Sequence, residues 1–140
     1  MFIKQVSVFM ENKPGKMSAI TGILRDANID VRALSIADTT EFGILRMIVR
    51  EPERAAALLR DHGMTAQISD VLVAVIEDRT GVLDEIVRTL SDNAIDIRFL
   101  YSFMGEKKAV SQLVICTDDM KKTLKLLQEN NFTILSETDI

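Results

Sequence analysis

The sequence is poor in the residues that build cross-links, metal sites and membrane spans. Its 140 residues include one cysteine, Cys116, one histidine, His62, two prolines and no tryptophan. A single cysteine excludes a disulfide within the chain and fits a reducing compartment, and the lack of a His/Cys cluster argues against a bound metal. The longest unbroken apolar run, residues 71–76, is far shorter than the ~20 residues of a membrane-spanning helix. These absences predict a cytoplasmic chain with neither a metal nor a membrane span.

The charge balance excludes further classes. There are 17 Lys and Arg residues against 21 Asp and Glu residues, a formal net charge of -4 at pH 7. Negative charge opposes both the phosphate backbone of nucleic acids and anionic lipid surfaces, so neither is expected as a partner. One histidine and one cysteine, without a base–nucleophile arrangement, argue against an enzyme and give no reason to expect a cofactor. The charged fraction of 27% and hydrophobic fraction of 47% are those of an ordinary globular protein.

What the sequence does contain is an internal repeat. A shift of 66 residues superimposes Gly15 on Gly81 and the segment 29–32 (Ile-Asp-Val-Arg) on the segment 95–98 (Ile-Asp-Ile-Arg). A shift of 68 residues superimposes the Leu-Leu pair 58–59 on the pair 126–127. Two copies account for the whole length, which predicts two domains, 1–69 and 70–140, joined without a flexible linker.

Each copy shows the same succession of strand-like and helix-like hydrophobic patterns. In the first copy, alternation over residues 3–10 predicts a strand, and Met17, Ile20, Leu24 and Ala27 are spaced as on one helix face. A hairpin with its turn over residues 38–43 follows, then a helix begun by Pro52 and ended by Gly63, then a short strand over 64–68. The second copy repeats the order, with an apolar helix stripe at Leu83, Ile86, Val87 and Leu90. The pattern predicts an α+β fold of two ferredoxin-like β-α-β-β-α-β units.

The sheet face opposite the helices differs between the copies. In the first copy it is expected to carry Gln5, Ser7 and Glu11, which suit contact with water. In the second copy the matching residues are Val71, Val73 and Val75, which would form an exposed apolar patch if left uncovered. The other copy or another chain must cover them, and we expect a homodimer.

Two short motifs recur in register within these units. Residues 11–17 (Glu-Asn-Lys-Pro-Gly-Lys-Met) link the first strand to the first helix, and residues 27–30 (Ala-Asn-Ile-Asp) open the second strand. Residues 78–83 (Asp-Arg-Thr-Gly-Val-Leu) with 94–96 (Ala-Ile-Asp) repeat the pattern without the proline. The pair of motifs resembles the ACT domain, a small regulatory module of amino-acid metabolism, and the resemblance extends over both copies. The arrangement is similar to stand-alone tandem ACT proteins.

The resemblance implies an allosteric site for a free amino acid at an ACT-domain interface, with Asn12 and Asp30 at the family's contact positions. A polar family position, two residues before Asn12, is occupied here by Met10. A glycine before a helix and free N–H groups at the helix start independently favour an approaching carboxylate. The candidate ligand-binding residues are Asn12, Lys13, Pro14, Gly15, Lys16, Met17, Asn28, Ile29 and Asp30, with a weaker second set at Asp78, Gly81, Val82, Leu83 and Asp96.

These motifs leave alternatives open. Asp30 and Asp96 can equally serve to end a turn, and the two glycines suit turns whether or not a ligand binds. The predicted function is a non-catalytic amino-acid sensor that modulates a partner enzyme; the alternative is a ligand-independent regulatory subunit that only packs against a biosynthetic enzyme. Because the second site places two acids, Asp78 and Asp96, where the family has neutral amides, we expect one ligand per chain, held mainly by the first copy.

Overall fold

The computed structural model describes residues 1–39, 41–104 and 110–140. These residues form two compact units, one of residues 4–69 and the other of residues 1–3 together with 70–140. Within the described residues, every helix is too short or too polar to cross a lipid bilayer.

The first unit contains three strands and two helices before the strand on which it ends. The elements are β1 (Ile3–Glu11), α1 (Lys16–Asp26), β2 (Val31–Asp38), β3 (Phe42–Val49) and α2 (Pro52–Asp61). Strand β3 pairs antiparallel with both β1 and β2. The predicted hairpin is therefore present, although Thr40 in its turn lies outside the described residues. Val6, Val8, Ile20, Leu24, Leu45, Met47 and Leu59 are among the buried core residues of this unit.

Strand β4 (Thr65–Glu77) runs unbroken across the boundary between the units at residues 69 and 70. The second unit continues with α3 (Val82–Asp92), β5 (Ile97–Met104), β6 (Val110–Thr117), α4 (Met120–Glu129) and the short strand β7 (Thr133–Ile134). Strand β6 pairs antiparallel with β4 and β5, and β7 pairs with β4. The repeated β-α-β-β-α-β order confirms the predicted α+β fold of two ferredoxin-like units.

Each of the helices α1 to α4 in the described residues is followed, directly after its C-cap, by a residue with left-handed backbone. The positive φ angles are 56° at Asn28, 80° at Gly63, 56° at Ala94 and 66° at Asn131. After α1, the N–H groups of Asn28 and Ile29 donate to the carbonyls of Arg25 and Leu24. Such bonds satisfy carbonyls that the end of a helix leaves without intrahelical partners. The repeat therefore extends to the way each helix is terminated.

Two expectations from the hydrophobic pattern were wrong in detail. Gln5, expected to face water, is fully buried, and its Nε2 donates to Ser7 Oγ at 3.3 Å. Leu83 is 45% exposed, because α3 begins at Val82 and buries the stripe Val82, Ile86 and Leu90. Val71 and Val73, which were expected to be covered, are fully buried within the single chain, so their burial does not require a second chain.

The predicted short strand over 64–68 is the first part of the longer β4. Polar residues at 69 and 70 (Ser and Asp) interrupt the hydrophobic pattern there without interrupting the strand. The break in the hydrophobic pattern at residues 69 and 70 therefore does not mark the end of a strand.

Candidate functional site

The two helix-entry loops, residues 12–15 and 78–81, have the same backbone. The N–H of Lys13 donates to the Glu11 carbonyl at 2.9 Å, and the N–H of Arg79 donates to the Glu77 carbonyl at 3.0 Å. Gly15 and Gly81 precede their helices with φ angles of 88° and 93°, a conformation that favours glycine. A Cβ atom built on either glycine meets no atom within 4 Å among the described residues. The backbone at both helix starts is thus open to a ligand.

In the first loop, the Asn12 side chain fastens β1 to the β2–β3 hairpin. Its Nδ2 donates to Asp38 Oδ1 at 2.8 Å and to the carbonyls of Thr39 and Phe42 at 2.8 and 3.3 Å. The Asn12 backbone N–H adds a bond to the Glu41 carbonyl at 3.1 Å. The amide nitrogen is held by the hairpin, and within residues 1–39, 41–104 and 110–140 the Asn12 Oδ1 is left as an acceptor. We call Asn12, Asp38, Thr39 and Phe42 the hairpin bracket.

Gly43 belongs beside this bracket for a steric reason. A Cβ atom at position 43 would lie 2.9 Å from Asn12 Oδ1, closer than real Cβ contacts allow. The absent side chain therefore determines where the Asn12 oxygen lies. Sequence reasoning identified Asn12 but missed Asp38 and Gly43, since the pairing of β3 with both β1 and β2 brings them to it.

The start of α1 carries positive charge. Its first turn contains no acidic residue and Gly15 provides no side-chain cap, while Lys16 is the first helical residue. Lys13 Nζ lies 2.8 Å from Glu11 Oε2, and this bond lowers the pKa of Glu11 and raises the pKa of Lys13. Because a helix N-terminus itself carries a partial positive charge, this entry favours an anion.

The start of α3 has the opposite character. Its first turn contains Asp84 and Glu85. Arg79 Nη1 and Nη2 donate to both oxygens of Glu85 at 2.9 and 2.8 Å, and its Nε donates to Glu77 Oε2 at 3.1 Å. These hydrogen bonds raise the pKa of Arg79 and lower that of Glu85. We call Arg79 with Glu77 and Glu85 the arginine clamp.

Arg79 is next to Asp78 in the sequence, but its ion-pair partners among the described residues are two glutamates, Glu77 and Glu85, on either side of the loop. The first copy has Ala19 at the position of Glu85, so it cannot form such a clamp. The two loops therefore share a backbone and differ in charge.

Asp30 lies at the far end of the first unit from Asn12. Strand β2 begins beside Val49 and reaches Gly43 only at Asp38, next to the hairpin bracket. Seven residue steps of about 3.3 Å separate these rows by roughly 23 Å. Asp30 pairs with Arg32 at 3.2 Å, and its carbonyl accepts from the Arg50 N–H. One copy therefore does not bring Asn12 and Asp30 together.

Asp96 occupies the matching place in the second unit. Its N–H donates to Asp118 Oδ1 at 3.0 Å, and its carbonyl accepts from the Asp118 N–H at 3.1 Å. The backbone of each aspartate is thus hydrogen-bonded just before a strand begins, which fits the interpretation that these residues end a turn. Their exposed carboxylates lie far from the entry loop of their own copy.

The other predicted residues divide between surface and core. Lys13, Pro14, Lys16, Asn28, Asp78 and Leu83 are exposed, and Met17 is half-buried against the core. Ile29 and Val82 are buried and act in packing. Asn28 has a structural explanation, because its backbone is left-handed. Ala94, at the equivalent position of the second copy, has the same φ angle. Among the described residues, no group of three His, Cys, Asp or Glu side chains is arranged to hold a metal ion.

Comparison with known families gives a match over the complete chain. The model of the family described as an ACT domain pair matches residues 1–140. No curated protein matches the sequence.

Solved structures with the same fold include proteins of several kinds. Protein BT0572 from Bacteroides thetaiotaomicron is 34% identical, with a TM-score of 0.92, and the match covers 99% of this chain and 95% of that one. The regulatory subunit of aspartate kinase from Thermus thermophilus, in its ligand-free form, is 12% identical, with a TM-score of 0.66 over 90% of this chain and 91% of that one. The aspartokinase alpha and beta subunits match at 18% identity and a TM-score of 0.59, over 91% of this chain and 95% of that one.

Proposed function

The chain belongs to the family of ACT domain pairs, and from this membership we propose that it is a non-catalytic regulatory protein that binds a free amino acid. The ligand's carboxylate is proposed to bind at the start of α1, beside Gly15. The protein then modulates a partner enzyme of amino-acid metabolism, as a cytoplasmic homodimer. The regulatory subunit of aspartate kinase supports this proposal through its fold.

The first copy is proposed as the ligand site because the starts of α1 and α3 differ in charge. At α1, an incoming carboxylate meets open backbone, the positive helix end and Lys16, with no acid in the first turn. At α3, it meets Asp84 and Glu85, which already complement the helix end, and the nearby cation Arg79 is bound to two carboxylates. Like-charge repulsion therefore disfavours the second copy.

The hairpin bracket supplies a group for the other end of the ligand. An amino acid carries an ammonium group beside its carboxylate, and that group needs hydrogen-bond acceptors. Asn12 Oδ1 is an acceptor in a fixed place, because its Nδ2 is held by Asp38 and two carbonyls. Asn12 and Lys16, the first residue of α1, are four residues apart across the entry loop, which suits the two charged groups of one small ligand.

The test is a thermal-shift screen against the common amino acids, followed by calorimetry with the ligand it identifies. A ligand present at 100 times its dissociation constant stabilises the folded state by about 2.7 kcal/mol. We expect a dissociation constant of roughly 1 μM to 1 mM, because a sensor must release its ligand as the level changes. We expect one ligand per chain.

Gly15→Asp and Gly81→Asp form a matched pair for the site. Both glycines have left-handed backbone and open space at the Cβ position, so the substitutions carry similar strain. Gly15→Asp places a carboxylate where the ligand's carboxylate enters and should abolish binding, whereas Gly81→Asp should leave the titration unchanged. Two equal sites per chain, or binding that survives Gly15→Asp with the fold intact, would refute the site. No ligand in the complete screen would favour the ligand-independent subunit.

A further inference from the structure

One row of the first unit's sheet, beside the entry loop, has no side chain at its centre. Met10 on β1 pairs with Gly43 on β3, and Gly43 pairs in turn with Asp38 on β2. A Cβ atom at Gly43 would lie 2.9 Å from Asn12 Oδ1 and 3.8 Å from Met10 Cε. The amide oxygen and the thioether methyl group are therefore neighbours at this row.

The matching row of the second unit is composed differently. Ile76 on β4 pairs there with Ser111 on β6. These two residues stand at the positions of Met10 and Gly43, so a branched side chain and a hydroxymethyl group replace a thioether and a bare backbone. Ile76 is buried, whereas Met10 is half-buried. Because a methionine side chain is unbranched and fills irregular space, the row of the first unit is the more adaptable of the two.

Met17 adds to this apolar surface from the helix side. It lies in the first turn of α1, directly after Lys16. Met17 and Met10 pack against the same buried core, and both are half-buried, so part of each side chain stays accessible. We call Met10 and Met17 the methionine pair. The pair forms an apolar surface next to the groups that are proposed to hold the two charged ends of the ligand.

Polar side chains around the entry loop already have partners within the chain. Ser18 Oγ donates to the Gly15 carbonyl at 3.1 Å, and Thr39 Oγ1 donates to a carbonyl of the hairpin bracket at 3.0 Å. Lys13 Nζ lies 2.8 Å from Glu11 Oε2. A polar group on the side chain of a ligand would compete with these contacts, whereas an apolar side chain leaves them intact.

We propose that the bound amino acid has an uncharged, apolar side chain, which packs against the methionine pair. This inference rests on the proposed function, in which the start of α1 holds the ligand's carboxylate and Asn12 Oδ1 its ammonium group. The side chain is the third group that the site must accommodate. Against two thioethers, a charged side chain loses water without gaining a partner, whereas an apolar one gains from burial.

Two charged groups near the entry define the strongest alternatives to this proposal. Lys16 would attract a second carboxylate, and Asp38 would attract a second ammonium group, so aspartate and lysine are the critical competitors. In the proposed site both groups have other tasks. Lys16 and the helix end complement the ligand's own carboxylate, and Asp38 Oδ1 accepts from Asn12 Nδ2 at 2.8 Å.

The first experiment compares matched amino acids by calorimetry with the wild-type chain. Norleucine and lysine share an unbranched four-carbon side chain and differ by the ammonium group, and leucine and aspartate have similar size and differ by the carboxylate. We expect the apolar member of each pair to bind about tenfold or more tightly than the charged member. Lysine or aspartate binding as tightly as its apolar counterpart would overturn the proposal.

The second experiment changes the methionine pair. Met10→Gln keeps the side-chain length but introduces an amide, and it should weaken binding of the preferred apolar ligand about tenfold. Met10→Leu is apolar and of similar volume, so it should retain the preference. Met17→Gln is a second variant at the same surface, and thermal unfolding without ligand establishes that each variant is folded.

Ile23→Gln is the matched control. Ile23 is also half-buried against the core of the first unit, but it lies about two turns further along α1 than Lys16. It should bind the apolar ligand as the wild type does. If both glutamine variants of the methionine pair bind unchanged, or if Ile23→Gln weakens binding as much as they do, the proposed contact is wrong.

The selectivity and the sensor fail in different ways. If lysine or aspartate binds best and Gly15→Asp abolishes that binding, the ligand site stands and the apolar selectivity is wrong. If neither norleucine nor any common amino acid binds, the sensor itself is wrong and the selectivity falls with it.

Discussion

The Asn12 amide nitrogen lies 2.8 Å from the Asp38 carboxylate oxygen, and this bond holds the first helix-entry loop to the tip of the β2–β3 hairpin. Asn12 is therefore part of the architecture before any ligand arrives. A residue that is held on one side and offers an acceptor on the other is pre-organised, which reduces the entropy lost on binding.

Adding a methyl group at Gly43 should disturb this arrangement. The Cβ of Gly43→Ala would lie 2.9 Å from Asn12 Oδ1, so the bracket must shift. We expect a loss of about 1–3 kcal/mol in the free energy of unfolding and about tenfold weaker amino-acid binding, or 1.4 kcal/mol. Urea unfolding and calorimetry measure the two effects.

Gly22→Ala is the control for that substitution. Gly22 lies inside α1, where an added Cβ meets only Arg25 Nη2 at 3.9 Å among the described residues. A helical alanine should stabilise the chain by about 0.5–1 kcal/mol with unchanged binding. Equal effects of the two substitutions on binding would show that the bracket does not position Asn12.

Ala94 is a site at which the protein can be stabilised. It ends α3 with a φ angle of 56°, where the first copy has Asn28 with the same angle. Asparagine tolerates left-handed backbone better than alanine does. Ala94→Asn should therefore raise the free energy of unfolding by about 0.5–1 kcal/mol, and Asn28→Ala should lower it by a similar amount. Denaturant titrations that move both variants in one direction would contradict this explanation.

Two threonines in the core of the second unit form a coupled pair. Thr117 and Thr123 are buried, their Oγ1 atoms lie 2.8 Å apart, and Thr123 Oγ1 donates to the Asp119 carbonyl. The Thr117 Oγ1 also accepts from the Asp119 N–H at 3.2 Å. Thr123→Ala removes the buried oxygen partner of the Thr117 hydroxyl, so we expect a loss of about 1–3 kcal/mol in the free energy of unfolding.

The first copy provides the apolar reference for this pair. Val49 and Ala55 occupy the matching positions and are buried. The double variant Thr117→Val/Thr123→Ala should therefore lose less stability than the sum of its single variants, because no buried hydroxyl is left without a partner. A double-mutant cycle with additive effects would rule out the coupling.

The arginine clamp should contribute a pH-dependent part of the stability. Its hydrogen bonds lower the pKa of Glu85 below the ordinary value of 4.5. A lowered pKa in the folded state stabilises the protein above that ordinary value, and the contribution disappears as the pH falls through the lowered pKa. The wild type should therefore be more stable than Glu85→Gln at neutral pH, and the difference should vanish in acid. Thermal unfolding across pH tests this, and a constant difference would contradict it.

The repeat made most of the fold predictable. Because two copies had to satisfy one pattern, the element order, the hairpin and the helix end at Gly63 could be placed from spacing alone. The burial of individual residues was harder to predict than the order of the elements. Gln5 looked like a residue that faces water, yet it is buried, because its exposure depends on packing that alternation does not encode.

The site was predictable only in part. The Pro-Gly motif located Gly15 and Asn12, and the left-handed angle of Gly15 fits that position. The resemblance also placed Asp30 at a contact position of a site at an interface between domains, and the strand register separates Asp30 from Asn12 within one copy. Asp38 and Gly43 belong to no local motif, because their roles arise from contacts with Asn12, which is distant in sequence. Glu85 is only six residues from Arg79, but no motif in the sequence indicates that the two side chains pair.

The division of the chain into units has a consequence for anyone who wishes to cut it. The sequence repeats from residue 70, but residues 1–3 belong to the unit formed by 70–140. Phe2 packs against the core of that unit, and Ile3 is 3% exposed. A fragment that begins at residue 70 lacks these side chains, and a cut at the boundary also divides β4. A fragment cut at residue 70 therefore lacks part of its own compact unit, and a fusion protein should contain residues 1–140.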